Sequence, residues 1–249
     1  MAGPADKPAR RRAAPRGRAA LTAARRDFYR FLSGVYRLEP APATLACLRD
    51  PAWRAALADC FSAALAQQFD RVARTLEGEG CLDTLRQEFT RLFLAPGAHY
   101  VPAYESVFRD RRDIGGRTVS GLLLGPSALD VQQWYRLAAL ELSSDCPELP
   151  DHIGLELEYL AHLCEREQAF GEAGDRAKQR RAREMQRDFL KAHVLAWLPE
   201  LAAKLQASAT LPFYPALACL TLEFCQADLA RLEHALGPAS AQGRPAYTA

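Results

Sequence analysis

Apolar residues return at three- and four-residue steps along most of this chain, a spacing that fits helices and little else. Trp53, Leu57, Phe61 and Leu65 form one such run, and Leu82, Leu85, Phe89 and Leu92 another. Further along come Ile153, Leu157, Leu160 and Cys164, then Leu222, Cys225, Leu229, Leu232 and Leu236. Proline and glycine punctuate the runs at Pro40, Pro42, Gly78, Gly80, Pro96, Gly97, Gly171, Gly174, Gly237 and Pro238. Only Arg117–Leu124 could pass for a strand, and one strand makes no sheet. With 249 residues, 49% of them hydrophobic, the chain can bury its own core. The pattern predicts an all-α fold, a single-domain helical bundle of roughly ten helices. No repeat of fixed period suggests a solenoid.

Within that frame, a first helix is expected over 21–38, with Phe28, Phe31, Leu32 and Val35 inward and Arg25, Arg26, Arg30 and Arg37 mostly outward. Arg25-Arg26-Asp27-Phe28 superficially resembles a twin-arginine export signal. Ser33, Gly34, Arg37 and Glu39 interrupt the apolar run that such a signal needs, so the segment reads as an amphipathic core helix. One helix is expected over 52–68. The charge-dense stretch Arg176–Arg187 reads as a solvated face, and Pro199 as a break or kink.

Charge and cysteine usage exclude several classes. Residues 1–20 hold six basic residues against Asp6, a net of +5, so the rest of the chain carries −3 of the total +2. The predicted organisation is a disordered basic arm over 1–20, a helical domain over 21–236 and a flexible tail over 237–249. An acidic body argues against a nucleic-acid binder using the arm. Seven cysteines without a Cys-x-x-Cys pair fit a reduced compartment, hence a cytoplasmic protein. No apolar run is long enough for stable membrane insertion.

Two stretches go beyond a plain helical core. Residues 95–124 are expected to be irregular, with Tyr100, Tyr104 and Phe108 spaced four apart among prolines and glycines; a loop of that length is often functional. Pro150-Asp151-His152 reads as a helix start, with Asp151 as the cap and His152 in the first turn, where the helix dipole disfavours its protonation. His152 and Glu156 are four apart, as are Glu158 and His162, but the two pairs face different ways on a helix. A metal-dependent enzyme using His152 and Glu156 therefore lacks a ligand set. Ser106 and His152 lack a nucleophile elbow. The residues predict neither metal nor cofactor, and no enzyme. An aromatic loop beside a polar helix start instead suits an extended or helical peptide.

Four segments in order resemble the TorD/DmsD/NarJ-like redox-enzyme maturation chaperones. They are Glu88-Phe89-Thr90-Arg91-Leu92-Phe93, Pro102-Ala103-Tyr104-Glu105-Ser106-Val107-Phe108, Pro150 through Leu160, and His193 and Trp197 with Phe213-Tyr214. The likeness spans about 21–236. It implies an all-helical cytoplasmic chaperone that binds the twin-arginine leader and apo-form of a molybdenum oxidoreductase, with molybdenum-cofactor biosynthesis proteins as further partners. Such a chaperone assists cofactor insertion and delays Tat export, as monomer or dimer. Carried over residue by residue, the peptide-binding candidates are Tyr104, Glu105, Ser106, Phe108, Asp151 and His152.

Overall fold

Helix α1, Pro15–Arg37, lies lengthwise against α8, Ile153–Glu172, and this pairing is the spine of the molecule. The computed structural model describes residues 15–237. Residues 1–14, most of the expected basic arm, and residues 238–249 of the expected tail lie outside that range. Helix α1 starts at Pro15, six residues before the expected boundary, because proline at a helix's first position loses no hydrogen bond there. Its buried face carries Thr22, Arg25, Tyr29, Leu32 and Tyr36, whereas Phe28, Phe31 and Val35 are half-buried flanks. The inward face is thus rotated from the expected one, and it takes Arg25 inside.

Helices α2, Pro42–Arg49, α3, Pro51–Cys60, and α4, Ala63–Thr75, follow as a small cluster. The single helix expected over 52–68 is divided at Phe61, which is extended. Ser62 accounts for the division: its hydroxyl oxygen accepts from the Leu65 N–H at 3.2 Å, starting α4 afresh. Helix α5, Cys81–Phe89, runs into a π turn at Thr90–Leu94.

The region expected to be irregular is not wholly so. It contains α6, Glu105–Arg109, and a hairpin of β1, Arg112–Ile114, with β2, Arg117–Val119. Gly115 and Gly116 both have positive φ, 60° and 78°, as a tight two-residue hairpin turn requires. The lone predicted strand therefore finds its partner across the glycine pair, and both strands are fully exposed.

Helix α7, Pro126–Leu137, leads to a loop and then to α8. After Gly174, α9, Arg176–Phe189, a π turn at Leu190–Val194 and α10, Leu195–Ser208, form one helical rod. Helix α10 continues through Pro199, and the irregularity falls on the π turn instead. Helix α11, Phe213–Leu236, closes the fold against α10, α9 and α4. Helix α9 is not purely a solvated face: Ala182, Met185, Gln186 and Phe189 are buried, and Gln186 joins the network around Arg25. All seven cysteines are free. Among the described residues no helix is long and apolar enough to cross a membrane.

Candidate peptide-binding site

The loop before α6 is stitched to the start of α8 by main-chain bonds. Glu105 N–H donates to the Asp151 carbonyl at 3.0 Å and Ile153 N–H to the Ala103 carbonyl at 2.9 Å, making an antiparallel bridge between Tyr104 and His152. Val101 N–H donates to the Leu92 carbonyl at 2.7 Å, fixing the other end of the loop to the π turn after α5. The Tyr135 hydroxyl donates to the Pro150 carbonyl at 2.7 Å and holds the turn from the side of α7. On the far side, Gly121 packs so closely on the Ser106 carbonyl that no Cβ would fit there.

Asp151 is not the cap of α8. Its carboxylate accepts from the Ser106 N–H at 2.8 Å, so it caps α6, a different element 45 residues earlier in the chain. The residue that starts α8 is His152, with extended backbone and Nδ1 accepting from the Gly154 N–H at 3.1 Å. The turn points the Asp151 side chain back at the loop, which leaves His152 to start α8. Burial raises the Asp151 carboxyl above the usual range, against the Ser106 hydrogen bond that lowers it. Burial holds His152 down to about 4, which keeps Nδ1 free to accept. The cause is desolvation, with Glu148 opposing it and Arg37 adding to it, and not the helix dipole that the sequence suggested.

Asp151→Ala should cost about 1–2 kcal/mol, since it strips the cap from α6 and leaves the Ser106 N–H unpaired in the interior. Thermal or urea unfolding measures it. A loss below about 0.3 kcal/mol would show that the α6 cap contributes little.

The six predicted residues lie together but differ in accessibility. Glu105, Ser106 and Asp151 are fully buried, and Phe108 and His152 nearly so. Tyr104 alone among the six is half-buried. Its ring meets the His152 ring edge-on at 5.2 Å, and its hydroxyl donates to Glu148 at 2.5 Å. Glu148 was not singled out from the sequence; it lies four residues before His152, with its carboxylate 4.0 Å from Nε2.

Beneath the loop, Glu105 meets His193 Nδ1 at 2.8 Å, and Arg109 donates both to Glu105 and to the Ala192 carbonyl. The Phe108 ring lies 5.4 Å from Trp197, whose indole N–H donates to Glu156 at 3.1 Å. Burial, then the neighbouring Glu105, drives the Glu156 carboxyl far above its ordinary value. The His152 carbonyl accepts from the Glu156 N–H at 3.0 Å, but the side chains diverge, Nδ1 of His152 to the Gly154 N–H and the Glu156 carboxylate to Trp197. Among the described residues no group of three or more His, Cys, Asp or Glu could hold a metal.

The other two motif segments also meet. Glu88 accepts from the Thr210 and Leu211 N–H groups at 2.6 and 3.0 Å, and Phe93 contacts Tyr214 edge-on at 5.0 Å. The four segments that carried the resemblance therefore meet in space, with His193 and Trp197 beneath the stitched loop and Phe93 against Tyr214.

Beside the stitched loop, a groove of about 310 Å3 opens between α1, α8 and the 138–146 segment. Arg37 lines it and also lies across Gly154, two residues from His152, where an added Cβ would force the Arg37 side chain to shift.

The profile of the family described as nitrate reductase delta subunit matches residues 58–203, more than half of the chain. The chain belongs to that family. It is 36% identical over 138 residues to a selenate reductase assembly chaperone protein of Thauera selenatis, covering 54% of this chain and 65% of that one. It is 29% identical over 161 residues to a chaperone protein TorD of Shewanella pealeana, covering 65% and 66%. It is 34% identical over 129 residues to a chlorate reductase assembly chaperone protein of Ideonella dechloratans, covering 51% and 61%. The chain thus spans a little under two thirds of the length of these relatives. All three are named as chaperones and none as a catalyst.

Proposed function

We propose that this chain is a cytoplasmic maturation chaperone for a molybdenum-bis(pyranopterin guanine dinucleotide) oxidoreductase. It binds the twin-arginine leader and the body of the precursor, assists cofactor insertion together with cofactor-biosynthesis proteins, and delays Tat export until folding is complete. Family membership and the assembly roles in the relatives' names support the reading. The observation that carries the site is the bridge between Tyr104 and His152. It sets a half-exposed aromatic ring and the Glu148 carboxylate at the edge of a rigid, buried framework. In this reading Tyr104 touches the peptide's apolar run. Glu105, Ser106, Phe108, Asp151 and His152 act from beneath by fixing the loop in the receptive position.

Calorimetry with the twin-arginine leader of a molybdenum oxidoreductase precursor tests the proposal. The leader should bind the wild-type chain, and Tyr104→Ala should weaken it roughly tenfold, as loss of a tyrosine anchor does, with the helical circular-dichroism signal unchanged. The reading falls if neither the leader nor the leaderless apo-enzyme binds.

A further inference from the structure

Glu88, which opens the first of the four motif segments, takes no part in the stitched loop. What it fixes is the turn between α10 and α11. Its carboxylate accepts from the Thr210 N–H at 2.6 Å, the Leu211 N–H at 3.0 Å and the Thr210 hydroxyl at 2.8 Å. Arg91 reaches Glu88 at 2.7 Å and the Ser208 carbonyl at 3.0 Å. Glu88 is 4% exposed, so the turn over 208–211 is held from inside the fold, on the end of α5.

That turn is one wall of a second groove, of about 520 Å3, and α4 is the other. Arg71 and Arg74 of α4 line it, both exposed and three residues apart, hence on one helix face. Among the described residues neither guanidinium has an ion pair or hydrogen bond. No aspartate or glutamate is among the residues that line the groove. The first groove is built the other way, with its Arg30 and Arg37 held by Glu165 and Glu158. Close by on α3, Arg54 pairs with Asp70 at 3.2 Å.

The remaining lining narrows what could bind. The Thr75 hydroxyl already donates to the Arg71 carbonyl at 2.9 Å, and the Thr210 hydroxyl to Glu88. Recognition of a charged ligand therefore falls to the two guanidinium groups. The amino end of α11 has no side-chain cap and adds a weaker positive potential. Leu211, Pro212 and Pro215 give the same wall an apolar surface. A guanidinium fork binds oxyanions through paired N–H groups, and the three terminal oxygens of a phosphate can bridge two forks where a carboxylate fills one. The volume lies within the range of small-molecule sites, about 300–1,000 Å3.

We propose that this groove binds a small phosphate monoester. Arg71 and Arg74 take the phosphoryl group, and Leu211, Pro212 and Pro215 take the organic part. Glu88 is a positioning residue that fixes the apolar wall opposite the arginines. The site is independent of the leader reading and uses none of its residues.

Calorimetry on the full-length chain tests it, with phenyl phosphate, inorganic phosphate and benzoate as probes at low salt. Phenyl phosphate should bind wild type more tightly than either of the others. Arg71→Gln with Arg74→Gln should weaken it roughly tenfold or more, since two charge-assisted contacts are lost. Both side chains are exposed, so the helical circular-dichroism signal should not change. Arg112→Gln with Arg117→Gln removes two exposed charges that line neither groove and should leave the affinity unaltered. An equal loss in the two double variants would assign the binding to general charge attraction and overturn the site. So would unchanged affinity in the α4 variant, or no binding of phenyl phosphate to wild type. Benzoate binding as tightly as phenyl phosphate overturns the phosphoryl assignment, and inorganic phosphate doing so overturns the organic part.

Discussion

Arg25→Met is expected to lower the unfolding free energy by about 3 kcal/mol, whereas Arg26→Met, one residue on, should stay within about 0.5 kcal/mol of wild type. The two arginines look alike in sequence. Arg25 is 4% exposed and grips Asp228 with two nitrogens, at 2.5 and 2.7 Å. It also reaches Glu167 at 3.2 Å and donates to Gln186. Methionine restores much of the volume but none of the charge, leaving two buried carboxylates short of a partner. The loss should sit at the low end of the range for a broken buried pair, because each acid keeps other donors. Asp228 retains Arg231 at 2.9 Å and the Tyr29 hydroxyl at 2.8 Å, and Glu167 retains Arg183 at 2.6 Å. Burial alone would raise the Asp228 carboxyl, yet Arg25 and then Arg231 hold it below the ordinary value. Arg25→Lys should rescue only part, since an ammonium cannot span the same fork. Urea unfolding of the three variants measures the effect. Equal losses for Arg25→Met and Arg26→Met would show that the network contributes nothing specific.

The second large effect is in pH. His152 titrates at about 4 in the folded chain against 6.5 when unperturbed, chiefly through burial, with Glu148 pulling it up and Arg37 pushing it down. The unfolded chain therefore binds a proton more readily than the native one. The stability tied to the neutral ring is complete above pH 6.5 and is lost as pH falls toward 4. That shift corresponds to about 3 kcal/mol across the interval. Asp151 and Glu156 are displaced upward, so their contributions have the opposite sign, present in acid and lost as pH rises. The histidine part is isolated by the difference between wild type and His152→Asn, which keeps an acceptor for the Gly154 N–H. Unfolding free energies measured from pH 7.5 to 4 should converge as pH falls, with wild type losing more. Parallel curves would show that the ring is protonated without penalty.

Much of the helical content was legible because the apolar stripes are long and strongly periodic. The stretches that became α5, α8 and α11 were each marked by such a stripe. Local chemistry also placed the helix start near Pro150. What failed were decisions between two locally acceptable partners. Asp151 and His152 can each cap a helix, and nothing within the turn says which side chain faces the loop at Ser106. Phe61-Ser62 can continue a helix or start a new one; the Ser62 cap and its hydrogen bonds to Glu223 on α11 decide it. Arg117–Val119 can be a lone extended segment until Gly115 and Gly116 turn it onto Arg112–Ile114.

The same holds for the candidate site. Its residues were found as a cluster, but the half-exposed edge at Tyr104 and Glu148 and the ion pairs between α1 and α8 were not. Accessibility and ion pairing depend on elements far apart in the chain: Glu158 and Arg37 are 121 residues apart. Helical character, the positions of most helices and the order of the motif segments follow from the amino-acid order alone, since periodicity acts over a few residues. Which arginine of the Arg25-Arg26 pair is buried, which of Asp151 and His152 starts α8, and which carboxylates line the groove follow from packing. Each of those depends on what a second helix brings to within hydrogen-bonding distance, and no local spacing encodes it.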